Sequence, residues 1–337
     1  MFKIQYLSTK NVVQGKHTLI QSCFQDPSSL QDWIEPPSSY THTFDDNELF
    51  CRASSVPEIK EYPFKRYAKI AFMFLTRGPL PFSPLWEKFF KGHEKFYAIY
   101  VHSMPSYRAN FSSSSVFYHK QIPSQVVEWG KMSMCDAERR LLANALLDVT
   151  NEWFVLLSEA CIPIQNFKII YNYISRSRFS FMGAFDEPGQ YGRDRYDDKM
   201  LPEVDIGQWR KGSQWFEVNR KLAADIIKDI KYYPKFKQFC RNWCYADEHY
   251  FPTMLTIQSP YSLANRTLTY VDWSKIDIHP ATFGKDNITA EFFRKIHQDH
   301  TCDYNNHPTS VCFLFARKFA PDTLDLLLQN STKFFGY

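Results

Sequence analysis

The sequence predicts an α/β fold with a mostly parallel central sheet flanked by helices. Three apolar runs, at residues 70–75, 96–101 and 153–157, are continuous rather than alternating, which is typical of strands buried on both faces. Segments with helical periodicity separate these runs. Strands that alternate with helices in this way indicate parallel strands joined by crossover helices.

The N-terminal part of the chain differs from the rest. Residues 1–64 show little periodicity and are rich in Pro, Ser and Asp, so we predict a loosely structured leader or stem there and one folded domain over residues 65–337. The opening residues contain no apolar run of signal-peptide quality. No uncharged apolar stretch of about 18 residues occurs either, so no transmembrane anchor is visible in the sequence.

Within the folded domain, the elements follow in a regular order. A helix is expected near residues 84–90, between the first two strands, and the clearest helix begins with Ser133 as its N-cap. A helix from residue 167 follows the third strand. The remaining predicted elements are strands at 179–182, 215–218, 268–271 and 311–316, and helices at 220–231, 247–256 and 290–297.

The composition excludes several classes of protein. The formal net charge is only +4 and the basic residues are scattered, which argues against a nucleic-acid binder. Only 11 glycines occur, and the glycine-rich signatures of dinucleotide-binding folds, P-loops and hydrolase nucleophile elbows are absent from the sequence. No D-x-D motif occurs, so any bound diphosphate is expected to be neutralised by Arg and Lys rather than by a carboxylate-held metal ion.

The cysteines form no C-x-x-C pair, which argues against a zinc ribbon or a thioredoxin-like site. Two pairs are near enough in sequence for local disulfides, although spacing alone leaves the pairing open. Two further cysteines lie in apolar segments that suit buried thiols. The two pairs are Cys240 with Cys244 and Cys302 with Cys312, and the two cysteines in apolar segments are Cys135 and Cys161.

Two other groups of residues carry weaker signals. Four N-x-[ST] sequons agree with a secreted glycoprotein without establishing one, and a His/Cys group near the C-terminus fits no known zinc spacing. The sequons are at Asn110, Asn265, Asn287 and Asn330, and the second group is His279, His297, His300, Cys302 and His307. We therefore predict no metal site.

Basic and aromatic residues are combined at positions 209–217. Arg210 and Lys211 stand between Trp209 and Trp215, a combination that suits an anionic or sugar ligand held by charge and stacking. The alternative is a solvated basic turn.

A second candidate is the run Asp247, Glu248 and His249 on a predicted helix. Adjacent helical side chains diverge by about 100°, so the three cannot all face one cleft. One carboxylate facing a pocket could act as a general base while the other caps the helix, or both acids could be caps.

A third candidate is the pair Arg317 and Lys318 at the end of a predicted strand. Ligands of α/β sheets gather at the carboxyl ends of strands, and a cation pair there suits a phosphate or diphosphate. The alternative is solubilising charge beside a strand end.

These segments, with others in the same order, make the chain resemble the core-2/I-branching β-1,6-N-acetylglucosaminyltransferase family, particularly its plant branch. The matching stretches are KIAFMFLTRGPLP (69–81), IYVH (99–102), EWGKMSM (128–134), WFVLLSE (153–159), GSQWF (212–216), DEHYFPT (247–253), NRTLT (265–269) and FLFARKF (313–319). The resemblance implies a GT-A-like fold, with residues 65–337 as the glycosyltransferase catalytic domain.

The resemblance also implies roles for individual residues. Glu248 matches the family's catalytic base. The matches for contacts with the donor and its diphosphate are Lys318, Arg317, Arg266 and His102, and those for the acceptor or sugar are Asp186, Glu187, Trp215 and Glu159. Ser103 departs from the mammalian pattern, which has an Asp after the Val-His pair.

The activity implied is an inverting, metal-independent transfer of a sugar from a UDP-sugar to a glycan hydroxyl. GlcNAc is the expected sugar and the product is β-linked; the alternatives are UDP-glucuronic acid or another UDP-sugar, or a non-catalytic glycan-binding scaffold of the same fold. No cofactor and no nucleic acid partner are expected, and the resemblance places the domain in the Golgi lumen, anchored to the membrane.

Overall fold

The computed structural model describes residues 40–55, 66–241, 243–274 and 279–337. In these residues the helices are α1 (Asp46–Ser55), α2 (Ser83–Phe90), α3 (Met132–Leu146), α4 (Phe167–Ser175), α5 (Arg220–Lys228), α6 (Tyr232–Phe239), α7 (Ala246–Gln258), α8 (Ala290–Gln298) and α9 (Leu324–Phe335). The strands are β1 (Lys69–Leu75), β2 (Tyr97–His102), β3 (Asn151–Ser158), β4 (Ile162–Pro163), β5 (Glu217–Asn219), β6 (Thr269–Val271), β7 (Cys302–Tyr304), β8 (His307–Thr309) and β9 (Phe315–Arg317).

The central sheet has the strand order β2-β1-β3-β5. β1 runs parallel to β2 and β3, with Phe72 opposite both Ile99 and Val155, whereas β5 pairs antiparallel with β3. Alternate residues of β1 enter two separate apolar cores: Met73 packs with residues of α3 and α5, and Phe72 with residues of α2 and α4. Because both faces are covered by helices, the apolar runs are continuous. The predicted α/β fold with a mostly parallel sheet flanked by helices, consistent with a GT-A-like fold, is confirmed.

A second, smaller sheet brings the last third of the chain to the end of β3. Its order is β4-β9-β6, with β9 parallel to β6 and antiparallel to β4. The backbone N–H of Phe319 donates a hydrogen bond to the carbonyl of Ala160, with N and O 3.1 Å apart. The end of β9 therefore lies beside the loop that follows β3.

Some element boundaries differ from the predictions. The predicted strand at 179–182 forms only isolated bridges, Ser180 with Leu263 and Phe181 with Glu217. The helix expected to start after Ser133 already includes it: its N-cap is Lys131, and the Ser133 hydroxyl accepts a hydrogen bond from the Glu128 backbone N–H at 2.9 Å. The Ser133 hydroxyl thus pairs with a backbone N–H of the turn that precedes the helix.

Part of the predicted leader belongs to the folded structure. α1 packs against α3, burying Leu49 and Ala53, and Asp46 accepts two hydrogen bonds from the guanidinium of Arg140 at 2.7 and 2.6 Å. Residues 1–39 and 56–65 lie outside the described residues. The boundary at residue 64 stays a prediction, but residues 46–55 are not loosely structured.

Disulfides join both of the cysteine pairs that are close in sequence, Cys240–Cys244 and Cys302–Cys312. Cys135 and Cys161 are free thiols and fully buried. Within the described ranges, no three His, Cys, Asp or Glu side chains are grouped as a metal ligand set. No helix in those ranges has both the length and the apolar character needed to cross a bilayer.

Candidate active site

A cleft of about 680 Å³ opens where the strands of the central sheet end. Arg77 follows β1, His102 ends β2, Glu159 follows β3, and Lys318 follows β9, and all four line the cleft. Carboxyl ends of parallel strands meet at one edge of a sheet, which explains why residues so distant in sequence converge here. The first turn of α7 and the segment 211–215 also line the cleft.

The first turn of α7 presents Glu248 to the cleft. The backbone N–H of Gly212 donates a hydrogen bond to the Glu248 carbonyl at 2.8 Å, which ties the 211–215 segment to the helix. At Gly212 a Cβ would lie 2.0 Å from the carbonyl oxygen of Gly183, so this close approach of two backbones requires glycine. The position of Glu248 is therefore set by backbone contacts on both sides.

Two cations hold the Glu248 side chain. Arg195 Nη1 is 3.1 Å and Lys211 Nζ 3.2 Å from Glu248 Oε2, and about a quarter of the Glu248 side chain remains exposed. Among the described residues, none donates a hydrogen bond to the other oxygen, Oε1. The carboxylate is therefore fixed through one oxygen, while the other is available to a hydroxyl in the cleft.

Asp247, the neighbour of Glu248, lines the same cleft but is almost entirely buried. Burial, followed by the charge of Glu248, raises the pKa of Asp247 to about 7. Behind it lies Glu138, fully buried, whose Oε1 accepts a hydrogen bond from Gln214 Nε2 at 2.8 Å. Burial, with the nearby charge of Asp247, raises the pKa of Glu138 well above its ordinary value.

The third residue of the motif, His249, faces away from the cleft. Its Nδ1 lies 2.8 Å from the Arg210 carbonyl oxygen, and its ring stacks on Trp209 with centroids 4.6 Å apart. Burial lowers the pKa of His249 to about 3, so the ring is neutral at physiological pH. The three side chains diverge as helical geometry requires. Asp247 and Glu248 both line the cleft from the first turn of α7, and the N-cap residue is Tyr245, where no side-chain capping hydrogen bond forms.

The cleft also holds a cluster of cations from the strand ends. The Arg317 guanidinium lies over the Trp215 ring, with Cζ 4.2 Å from the centroid, and no described residue accepts a hydrogen bond from its Nε. Burial lowers the pKa of Lys318, and the charges of Arg317 and Arg77 lower it further, whereas Glu159 acts in the opposite sense. The carboxylate of Glu159 thus partly compensates a cluster of three positive charges.

The structure places Trp215 and Trp209 differently from the expectation that both contact sugar. Trp215 lines the cleft, but it is 5% exposed and its ring supports Arg317. Trp209 is buried in the core, and its indole N–H donates a hydrogen bond to the Gly192 carbonyl at 3.0 Å. The prediction of Trp209 as a sugar-contacting residue is therefore wrong, because packing against α6 and α7 consumes both of its faces.

His102 lies at the cleft but is 1% exposed. Its Nε2 accepts a hydrogen bond from the Gln125 backbone N–H at 3.3 Å. Burial, followed by the positive charge of Arg140, lowers the pKa of His102 to about 3. The next residue, Ser103, is uncharged, and its hydroxyl accepts a hydrogen bond from Gln121 Nε2 at 2.7 Å.

Of the three acids proposed for the acceptor or sugar, Glu187 and Glu159 line the cleft and Asp186 does not. The Gly189 backbone N–H donates a hydrogen bond to Glu187 Oε1 at 3.0 Å, and no described residue donates to Oε2. Asp186 instead forms a two-point pair with Arg193 at 2.8 and 2.7 Å on the exposed side of the loop. Successive residues of an extended segment point in opposite directions, which separates Asp186 from Glu187.

Arg266 does not reach the cleft. Its guanidinium donates hydrogen bonds to the carbonyls of Asp303 and Cys312 at 3.1 and 2.9 Å and to the Tyr173 hydroxyl at 2.6 Å. It also lies over the Phe181 ring, with Cζ 4.9 Å from the centroid. With these donors committed to the protein, the expected contact of Arg266 with a diphosphate has no structural support.

Sequence reasoning missed several residues of the site. Arg77 was part of a matching stretch and directly follows a buried strand, a signal that could have identified it. Arg195 lies in the irregular loop before α5, where no periodicity indicates which side chain faces inward. Lys211 was predicted to bind an anionic ligand, whereas its observed anionic partner is Glu248.

The chain is similar to proteins of a known family. A protein-family model described as "Branch: Core-2/I-Branching enzyme" matches residues 70–297. Over 310 residues the chain is 34% identical to Glycosyltransferase BC10 from Oryza sativa subsp. japonica, an alignment that covers 78% of this chain and 76% of that protein. The resemblance seen in the sequence is confirmed, and the chain belongs to the core-2/I-branching family of glycosyltransferases.

Proposed function

We propose that the protein transfers a sugar from a UDP-sugar to a hydroxyl of a glycan acceptor, with inversion at the anomeric carbon. Membership of a glycosyltransferase family implies a sugar donor and a glycan acceptor. The observation that carries the specific proposal is the carboxylate of Glu248, held through Oε2 by Arg195 and Lys211 in the cleft that also contains the Arg77, Arg317 and Lys318 cluster.

The reaction needs one base and one stabilised leaving group. Oε1 of Glu248 takes the proton from the acceptor hydroxyl as the hydroxyl oxygen forms a bond to C1 of the donor sugar. The bond from C1 to the diphosphate oxygen breaks on the opposite face, and its electron pair leaves with UDP. Lys318, Arg317 and Arg77 oppose the negative charge that grows on the diphosphate, so they stabilise the transition state more than the ground state.

We also propose that no divalent metal takes part. The sequence lacks a D-x-D motif, and the described residues hold no cluster of metal ligands. Guanidinium and ammonium groups bind diphosphate oxygens directly, Arg in a two-point manner and Lys as a point charge. We expect the three cations at the strand ends to take the part of a metal ion.

The donor proposed is UDP-GlcNAc, on the basis of the family's acetylglucosaminyltransferase members. The uncharged Ser103 leaves UDP-glucuronic acid and other UDP-sugars as alternatives for the same site. We propose the Golgi lumen as the place of action, since the two local disulfides suit an oxidising compartment and Asn110 is an exposed sequon.

A non-catalytic glycan-binding protein of the same fold is the competing function. Such a protein would need the cleft but would not need a carboxylate with a free oxygen opposite a cation cluster. The cluster of Arg77, Arg317 and Lys318 favours the enzyme, because the burial of the Arg317 guanidinium is costly to maintain without an anionic ligand.

The test is Glu248→Gln, assayed by UDP release from a panel of UDP-sugars with a mixed glycan acceptor array. Loss of general base catalysis should lower the rate about 10²- to 10⁴-fold while UDP binding, measured by calorimetry, is retained. Glu291→Gln is the matched control, since Glu291 also lies in the first turn of a helix and pairs with an arginine, at 2.8 Å. A rate for Glu248→Gln within tenfold of wild type would show that Glu248 is not the base.

A further inference from the structure

Exposed aromatic side chains lead from the cleft onto the outer surface. Trp129 and Tyr245 line the cleft, with ring centroids 5.0 Å apart and planes at 62°. Trp243 also contacts the Tyr245 ring, with centroids 6.4 Å apart, and is 75% exposed. We call Trp129, Tyr245 and Trp243 the aromatic row.

The aromatic row is held in place by covalent and backbone constraints. The disulfide Cys240–Cys244 closes the short loop that carries Trp243. Trp243 and Tyr245 both adopt positive φ, at 64° and 51°, a conformation that non-glycine residues keep only where the surroundings impose it. The row is therefore a preorganised surface, which lowers the entropic cost of binding.

Gly130 lets the row form at its inner end. It has φ of +72°, and a Cβ at this position would lie 3.1 Å from the ring of Tyr245. Trp129, the preceding residue, contacts both the Tyr245 ring and the His279 ring, each with centroids 5.0 Å apart. Glycine thus permits both the turn and the close approach of the two rings.

The row continues directly into the candidate catalytic site. The Arg195 guanidinium lies over the Tyr245 ring, with Cζ 4.5 Å from the centroid, while its Nη1 contacts Glu248 Oε2 at 3.1 Å. A ligand that places a hydroxyl at Glu248 and extends outward past Arg195 therefore meets Tyr245 and then Trp243. The occupant indicated by this continuity is the acceptor, not the donor, because the hydroxyl at Glu248 belongs to the acceptor and the donor diphosphate belongs with Arg77, Arg317 and Lys318.

We propose that the aromatic row forms additional subsites that bind the acceptor as an extended glycan chain, with Trp243 as the outermost subsite. This inference rests on the proposed transferase function for the identity of the chain that occupies it. The faces of aromatic rings carry negative charge density and attract the polarised C–H groups of a pyranose face. Tyr and Trp also offer a polar edge that can hydrogen-bond to sugar hydroxyls, so the row suits a sugar chain better than a purely aliphatic surface would.

The exposure of the apolar Trp243 side chain supports a binding role. A largely exposed indole beside a second ring loses the stabilisation that burial would provide, and exposed aromatic clusters of this kind mark sites of interaction. A loop closed by a disulfide could carry a polar residue at this position with little loss of packing, because Trp243 is 75% exposed.

The experiment is native electrophoresis in gels that contain xylan, galactomannan or hydroxyethylcellulose. Retardation by at least one polysaccharide is expected for the wild type. The apparent Kd for that polysaccharide should rise about three- to tenfold in Trp243→Ala, because the variant loses one aromatic contact with the glycan. Tyr261→Ala is the matched control, since Tyr261 is 92% exposed and lies outside the row. Correct folding of Trp243→Ala is checked by its circular dichroism and by titration for free thiols.

The outcomes separate this inference from the proposed function. Binding in the gel needs no catalysis, so a wild type that binds glycan but releases no UDP would contradict the transferase and leave the row supported. A wild type that transfers sugar without retardation by any of the three polysaccharides would overturn the row as a glycan site. An unchanged Kd in Trp243→Ala, or a self-association that this variant abolishes while Kd is unchanged, would do the same.

Discussion

Replacing Asp247 with Asn offers a direct test of the electrostatics beneath the candidate base. The carboxyl of Asp247 is 6% exposed, and burial together with the charge of Glu248 raises its pKa from 3.8 to about 7. Asp247→Asn keeps nearly the same shape but cannot ionise. We therefore expect the free energy of unfolding of this variant to depend on pH less steeply than that of the wild type.

The sign and size follow from proton binding. As pH rises from 3.8 towards 7, the unfolded chain has already lost the proton of Asp247 while the folded chain still holds it. The stability contributed by that proton therefore falls by about 1.4 kcal/mol per pH unit and stops falling once pH passes the folded-state pKa. Over an interval of about three units, the wild type loses about 4 kcal/mol that Asp247→Asn does not lose.

The assay is urea unfolding followed by tryptophan fluorescence at intervals from pH 4 to pH 8, with the disulfides intact. The difference in unfolding free energy between Asp247→Asn and wild type should shift in favour of the variant up to about pH 7 and then become constant. Asp286→Asn, at an exposed carboxylate, controls for removal of a charge as such. A difference that does not change over the whole range would refute the raised pKa and the buried acid pair with Glu138.

Two further outcomes are expected for catalysis. Lys318→Ala should lower kcat/KM for the UDP-sugar about ten- to hundredfold, because a hydrogen bond to a charged group is worth about 1.5–3 kcal/mol. Lys285→Ala, at an exposed lysine, is the control. Equal kinetics in both variants would show that Lys318 does not contact the donor. Treatment with EDTA should leave the rate of UDP release within about twofold of the untreated rate, since the cations require no ion to bridge the diphosphate; activity that returns only when Mn²⁺ is added would contradict the metal-free mechanism.

The elements that the sequence predicted best are those with the least ambiguous pattern. Phe72 and Val155 belong to runs buried on both faces, where every residue is apolar, so strand and sheet type follow from one observation. α1 has only Leu49 and Ala53 buried within ten residues, so its pattern was too short to distinguish it from a leader. Its place in the fold depends on the distant partner Arg140, which no local pattern indicates.

The site shows the same division between local and tertiary information. Glu248 and Lys318 could be predicted from the residues around them. Each lies at the end of an ordered element, Glu248 in the first turn of α7 and Lys318 directly after β9, and each belongs to a stretch that matches the family. Arg266 and Arg195 could not be told apart in this way. Arg266 donates a hydrogen bond to the carbonyl of Cys312, whereas Arg195 forms an ion pair with Glu248. This difference arises only when the loops are packed.

The two neighbouring acids of α7 divide their roles through their environments. Burial raises the pKa of Asp247 to about 7, although the charges of Lys211 and Arg195 act in the opposite sense, whereas Glu248 is partly exposed and contacts both of these cations. Titratable groups that are placed in contrasting environments mark acid–base assignments. A base must accept a proton from a hydroxyl that enters from solvent, and only Glu248 combines access with an oxygen that no described residue occupies. If Asp247 were ionised as well, two adjacent negative charges would oppose the approach of the diphosphate, so the retained proton on Asp247 also favours binding of the donor.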